Sequence, residues 1–244
     1  MKNIMLTISY DGTNYSGWQR QDNALSIQEV IEEACQALFQ VETPLLGAGR
    51  TDAKVHALGQ VATIQVDTNI PIWRLPYALN TYLPPDIVIV KAEEKPLEFH
   101  PRYDAKNKTY RYQIENSPFP TPQLRNYTKF VYQPLDIEKM KEAGQYFCGT
   151  HDFKGFCSAR TATATTVRTI YDLQITKCHD LITIEITGNG FLYHMVRIIA
   201  GALINVGRGK IPPKEIPDII LSKDRVRAGK TAAPQGLTLM KIEY

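Results

Sequence analysis

Cysteine is scarce, with four in 244 residues, and Cys35, Cys148, Cys157 and Cys178 lie far apart. They make no CxxC and no Cys/His pair at zinc spacing, so a structural zinc site is excluded and free cytosolic thiols are expected. No apolar run approaches the roughly 18–20 residues that span a bilayer. The opening MKNIMLTISYDG has the pattern of a strand and lacks the apolar core of a signal peptide. Net charge is small, +3 at a pI near 8.5, which by itself implies no nucleic-acid partner. Charged residues at 22% and hydrophobic ones at 43% exclude a disordered tail and leave enough apolar surface for a core. The length suits one large domain or two small joined ones.

Periodicity supplies the elements. Residues 2–10 alternate apolar and polar and end at Asp11-Gly12, as a strand running into a turn does. Ser26 and Glu29 have the spacing of a capping box. Behind them Ile27, Val30, Ile31, Ala34, Cys35 and Leu38 repeat at helical spacing, with Glu29, Glu32 and Glu33 on the other face. Strands are predicted at 60–66, 86–92, 107–114, 166–177 and 181–187, and again in the closing GLTLMKIEY. Helices are predicted at 71–82, 136–147 and 191–206, with one more opened by Pro212-Pro213. The proline-rich segment 116–134 reads as a connector.

Strands at short spacing, without an alternating βαβ order, point to an α+β fold and a largely antiparallel sheet. The two halves carry a similar order of elements without a sequence repeat, which suggests two α/β subdomains, 1–105 and 106–244. Charge is uneven along the chain. Residues 1–50 hold three basic and six acidic side chains; residues 101–130 hold six basic (Arg102, Lys106, Lys108, Arg111, Arg125, Lys129) and two acidic. Lys223, Arg225, Arg227 and Lys230 form a second basic cluster. A near-neutral total can therefore conceal a basic face.

GAGRTDAKVHALGQ is the most informative stretch. Gly47 and Gly49 begin a GxGxxG pattern, but Asp52 stands where the third glycine belongs, and no Gly-Lys-Ser/Thr follows. These glycines suit tight turns beside Arg50-Thr51-Asp52. Asp52 lies among a cation, a hydroxyl and the imidazole of His56. It can be a turn-capping aspartate or a working carboxylate. A metal at Asp52 and His56 would need a third ligand, which the sequence does not offer. No serine sits in a nucleophile-elbow setting.

GRTDAKVHALGQVA resembles the catalytic motif of the tRNA pseudouridine synthases of the TruA family. Further segments resemble that family in the same order: YDGTNYSGWQRQ at 10–21, FHPRYDAKNKTYRYQI at 99–114, HDFKGFCS at 151–158, FLYHMVRIIAGALINVGRGK at 191–210 and APQGLTLMKIEY at 233–244. The resemblance spans nearly the whole chain. It implies the pseudouridine synthase fold, two ferredoxin-like subdomains sharing a largely antiparallel continuous sheet, with the active-site cleft between them. It implies an isomerase that converts uridine to pseudouridine at positions 38, 39 and 40 of the tRNA anticodon stem-loop. No cofactor and no metal are implied, because the reaction neither gains nor loses atoms and has no redox step.

By that resemblance Asp52 is the catalytic carboxylate, Arg197 its basic partner and Tyr110 the active-site tyrosine. Three roles suit Asp52: attack on C1′, addition to the base, or removal of a ribose proton. An arginine on the apolar helix of Arg197 requires an anionic partner if buried. Alternation puts Tyr110 and Tyr112 on one face; Tyr110 can stack on uracil, while Tyr112 reads as core. Arg50 and Thr51 adjoin the carboxylate as substrate-binding candidates, and Arg50 can fill the gap left by an extruded base. Leu239 can pack under the base, though plain core suits it better. Candidate RNA-backbone contacts are Arg20, Lys54, Arg102, Lys106, Lys108, Arg160 and Arg168.

Two positions depart from the family pattern. Lys54 replaces a usual glycine, and Pro101 a usual small residue. Expected partners are the tRNA anticodon arm and a second copy of the chain, in the cytoplasm and away from membranes. Two other classes compete: a non-catalytic tRNA-binding or folding chaperone on the same scaffold, and a metal-dependent RNA hydrolase. The second lacks the carboxylate cluster it would need.

Overall fold

A computed structural model of the chain describes residues 1–158 and 163–244. Two compact units divide it: Met1–Lys106 with Thr238–Tyr244, and Asn107–Leu237.

The first unit opens with β1 (Lys2–Tyr10), followed by α1 (Ile27–Phe39). Then come β2 (Leu46–Gly47), β3 (His56–Val66), α2 (Leu75–Asn80) and β4 (Ile87–Lys95). Ser26 caps α1 by accepting the Glu29 amide at 3.2 Å, which satisfies one of the donors a first turn leaves unbonded. Ile27, Ile31, Ala34 and Cys35 form its buried face, and burial pushes the Cys35 thiol up to about 12. The helix ends at Gln40, whose left-handed backbone allows no further turn.

In the second unit the order is β5 (Asn107–Glu115), β6 (Lys129–Phe130), α3 (Ile137–Gln145), β7 (Gly149–Asp152), β8 (Val167–Cys178), β9 (Leu181–Gly188), α4 (Met195–Gly207) and α5 (Ile216–Ser222). Strand order is β5-β9-β8-β7, all antiparallel, with β6 parallel on β5. Eleven of the thirteen residues of α4 are buried, so this helix is core nearly all round. Arg197 is one of its two exceptions.

The last strand, β10 (Leu237–Glu243), has its run from Thr238 in the first unit. There the order is β4-β1-β3-β10, with β2 also on β3. β1 is antiparallel to both neighbours, and β10 runs parallel to β3 through Thr238↔His56 and Leu239↔Ala57. The sequence division at 105/106 had put this strand with the second half. Strand pairing is non-local, so a closing strand carries no mark of the neighbour it joins.

Other boundaries differ for local reasons. β3 begins at His56, not at 60, because it is buried on both faces and so shows no alternation. Pro76 has no N–H to bond the carbonyl four residues back, so α2 cannot run unbroken from 72; a 3-10 turn, Ile72–Arg74, precedes it. α4 starts at Met195, not 191, because His194 sits at φ +64°. Among the described residues no helix is long and apolar enough to cross a membrane.

Candidate active site

Residues 48–55, joining β2 to β3, carry Arg50, Thr51 and Asp52. β2 pairs antiparallel with β3 through Leu46↔Thr63 and Gly47↔Ala62. Five backbone or side-chain bonds then fix the 48–55 loop. Ala48 donates its amide to the Val61 carbonyl at 2.8 Å. The fully buried Gln60 donates Nε2 to the Gly49 carbonyl at 3.1 Å. The Trp18 amide donates to the Thr51 carbonyl at 3.0 Å, and the Lys54 amide to the Tyr15 carbonyl at 3.3 Å. The Tyr10 and Thr51 hydroxyls meet at 2.7 Å. Within the loop, the Val55 amide closes a turn on the Asp52 carbonyl at 3.1 Å.

Two of these partners, Gln60 and Val61, belong to β3; the other three, Tyr10, Tyr15 and Trp18, come from residues 10–18. This segment turns tightly enough to reach the loop because of two glycines. A β-carbon on Gly12 would collide with the Val55 carbonyl, and one on Gly17, at φ +100°, would stand 2.7 Å from the Thr51 oxygen. Trp18 fills the space over Gly47. Tyr15 donates its hydroxyl to Asp86 at 2.7 Å, and burial, ahead of that bond, raises its phenol well above the ordinary value. Thus YDGTNYSGWQRQ and GRTDAKVH, separate in sequence, form one construction.

His56 is bonded to the 10–18 segment. It is buried, its Nδ1 accepts the Gly12 amide at 3.1 Å, and it lies 3.1 Å from Oδ1 of Asp11. Among the described residues no three His, Cys, Asp or Glu side chains gather as a metal site. Asp52 itself is half-buried, Thr51 buried, and Arg50 and Lys54 exposed. Leu239 lies in β10 beside Ala57, 1% exposed, as core.

Tyr110 and Arg197 belong to the second unit. Tyr110 is half-buried on β5, its ring edge-to-face with Phe191 at 5.2 Å between centroids. Tyr112 is fully buried and donates its hydroxyl to the Ala233 carbonyl at 2.8 Å. Arg197 donates Nε to the Ala232 carbonyl at 2.9 Å, and the Ala232 amide donates back to the Arg197 carbonyl at 3.0 Å. Gly201, one turn further along α4, leaves room for the Lys230 carbonyl. Residues 230–233 therefore lie along α4 and hold both Arg197 and Tyr112. The HDFKGFCS segment joins them through the Ser158 amide, which donates to the Tyr193 carbonyl at 3.1 Å.

The backbone-contact candidates fall in different settings. Arg20 is held by Glu32 at 3.1 Å and Glu29 at 3.9 Å. Lys54 has φ +64°, the left-handed region that favours glycine. Arg102 lies over the Tyr103 ring at 5.8 Å, and Lys106 is exposed beyond its amide bond to Glu243. Lys108 is half-buried on β5, and Arg168 donates Nη1 to the Thr165 and Val167 carbonyls. Arg160 lies outside the described residues. Pro101 is buried and its carbonyl accepts the Tyr244 hydroxyl at 2.8 Å.

Tyr10, Gly12, Gly17, Trp18 and Gln60 were not foreseen as parts of this site. Asp11-Gly12 signalled a turn, but nothing in the sequence named what that turn approaches.

Comparison with known proteins accounts for the coincidence of these segments. A family model described as tRNA pseudouridine synthase matches residues 6–104 and 143–244. A protein named tRNA pseudouridine synthase A from a Thermoanaerobacter species is 52% identical over all of this chain and all of its own. One of the same name from Acetivibrio thermocellus is 50% identical, again over the full length of both. A Clostridium perfringens protein named tRNA pseudouridine synthase A 2 is 46% identical with the same coverage. Matches of this extent, through both halves and both sets of converging segments, establish that the chain belongs to the tRNA pseudouridine synthase family.

Proposed function

We propose that the chain isomerises uridine to pseudouridine in tRNA, at positions 38, 39 and 40 of the anticodon stem-loop. Full-length identity of about half with proteins named tRNA pseudouridine synthase A supports the reaction and the substrate class. The observation that carries the chemistry is the Asp52 loop: a half-buried carboxylate on a backbone pinned from several sides. A catalytic group must be held near its productive geometry, and such pinning does that before substrate arrives.

In the reaction the N1–C1′ bond breaks, the uracil turns, and C5 bonds to C1′. N1 gains a proton and C5 loses one, so product and substrate are isomers. Asp52 supplies the ionised carboxylate. Tyr110 offers an aromatic face to the base, Arg197 a cation to the carboxylate, and Arg50 and Thr51 flank the extruded nucleotide. Extrusion costs a few kcal/mol, drawn from backbone contacts made by exposed cations. The homodimer and the cytoplasmic location belong to this same reading.

The test uses unmodified tRNA with uridines at 38–40, tritiated at uracil C5, in EDTA. Wild-type protein releases tritium to water and Asp52→Ala does not. Tight tRNA binding by the wild type without release would favour the chaperone. Strand scission abolished by EDTA would favour the hydrolase.

A further inference from the structure

Thr51 is held at both its polar ends. Its carbonyl accepts the Trp18 amide at 3.0 Å, and its hydroxyl meets that of Tyr10 at 2.7 Å. Both side chains of the second contact are buried, Tyr10 at 4% exposure and Thr51 at 7%. Gly17 closes over the same carbonyl with no room for a β-carbon. Tyr10 is itself fixed. It ends β1, is paired with Ala57 across a register shift after Ile8, and packs its ring 6.1 Å from that of Trp18. Its hydroxyl is thus a point of the sheet, not of a mobile side chain. Thr51 carries Asp52 on the next peptide.

We propose that Tyr10 is a positioning residue for the reaction: its bond to the Thr51 hydroxyl sets the direction in which Asp52 leaves the loop. The inference rests on the reading of Asp52 as the working carboxylate. Two hydroxyls bonded in a buried space select one rotamer for Thr51, because any other leaves a hydroxyl without its partner. With the side chain and carbonyl of Thr51 both fixed, the following peptide plane has one orientation. Removing the phenolic oxygen keeps the ring and its packing but frees the threonine. Misplacement on the order of 1 Å at a reacting group costs up to about 100-fold in rate. Tyr10 itself never touches the uridine, so binding of tRNA does not depend on its hydroxyl.

The experiment measures kcat, KM for tRNA and Tm for Tyr10→Phe, Thr51→Val, Thr51→Ser, the Tyr10→Phe/Thr51→Val pair and Asp52→Ala. Tyr10→Phe is expected to lower kcat about 10- to 100-fold, with KM within about two-fold of wild type. Thr51→Val should lower kcat to a similar extent, the double variant should be no slower than the slower single one, and Thr51→Ser should recover most of the turnover that valine loses. Wild-type kcat in Tyr10→Phe, with Asp52→Ala inactive, would overturn the role of Tyr10 and leave Asp52 standing. Activity in Asp52→Ala would overturn the reading of Asp52 itself. Losses in Tyr10→Phe and Thr51→Val that multiply in the double variant, or that serine fails to recover, would mean two structural defects and overturn the proposal. So would a fall in kcat only as large as the unfolded fraction shown by Tm. If Tyr10→Phe fails to fold, the valine and serine variants of Thr51 decide by the same comparison.

Discussion

Lys54 donates its amide to the Tyr15 carbonyl at 3.3 Å from a backbone held at φ +64°. The bond ties the Asp52 loop to the 10–18 segment, and the left-handed conformation is the cost of making it. The family resemblance implies glycine at this position, and a backbone at φ +64° suits that residue. Glycine adopts φ > 0 freely, whereas a side chain there costs roughly 1 kcal/mol.

Lys54→Gly should therefore fold at least as well as wild type, gaining up to about 1 kcal/mol less what is lost to unfolded-chain entropy. Lys54→Val, β-branched at the same φ, should lose about 1–2 kcal/mol. Thermal unfolding of the three proteins at one pH checks the order. A valine variant as stable as glycine would contradict it.

Gly12 sets the distance of closest approach between the two segments. Its missing β-carbon leaves room for the Val55 carbonyl, which is backbone and cannot step aside. Gly12→Ala should cost about 1–3 kcal/mol, and turnover should fall more than the folded fraction does, since the displaced strand end carries the Asp52 turn. Tm and kcat measured on the same preparation separate the two losses.

Tyr112 is core with a polar tip. Burial is the main cause that raises its phenol well above the ordinary value, with Arg197 acting weakly the other way. Its hydroxyl serves the Ala233 carbonyl. Tyr112→Phe should cost about 1–2 kcal/mol by leaving that acceptor without its donor. Denaturant unfolding should show a lower midpoint with an unchanged slope.

Asp152 illustrates a pH dependence with a fixed sign. The Lys223 ammonium at 2.7 Å, then the Thr166 hydroxyl at 2.5 Å, hold its carboxyl below the usual range. A depressed carboxylate contributes stability above its unfolded value, near 4, and loses it as pH falls through the folded value. Both side chains are partly exposed, so solvent screening limits the contribution to about 1 kcal/mol or less. Asp152→Asn should be less stable than wild type at pH 7. The gap should close as pH is lowered below about 4. A gap unchanged at low pH would mean that the charge contributes nothing.

Legibility followed locality. α1 was readable because its cap, its apolar stripe and its acidic face all lie within a dozen residues, and Ser26 does cap Glu29. β1 was readable through alternation, and Tyr112 as core by the same pattern. β3 was missed at its start because a strand buried on both faces loses its alternation. α2 and α4 were drawn too long because a proline and a left-handed histidine break helices that hydropathy alone would continue.

The sequence by itself determined the α+β class, through strand and helix periods, and the family, through six ordered segments. It also drew attention to Asp52, through the resemblance that GRTDAKVHALGQVA carries. Only the tertiary structure decided that β10 joins β3, that residues 10–18 brace the Asp52 loop, and that residues 230–233 hold Arg197 and Tyr112. Those are contacts between residues tens to hundreds of positions apart. Their cost is chain entropy and their gain is burial and hydrogen bonding across the gap, and neither is written in the order of the residues alone.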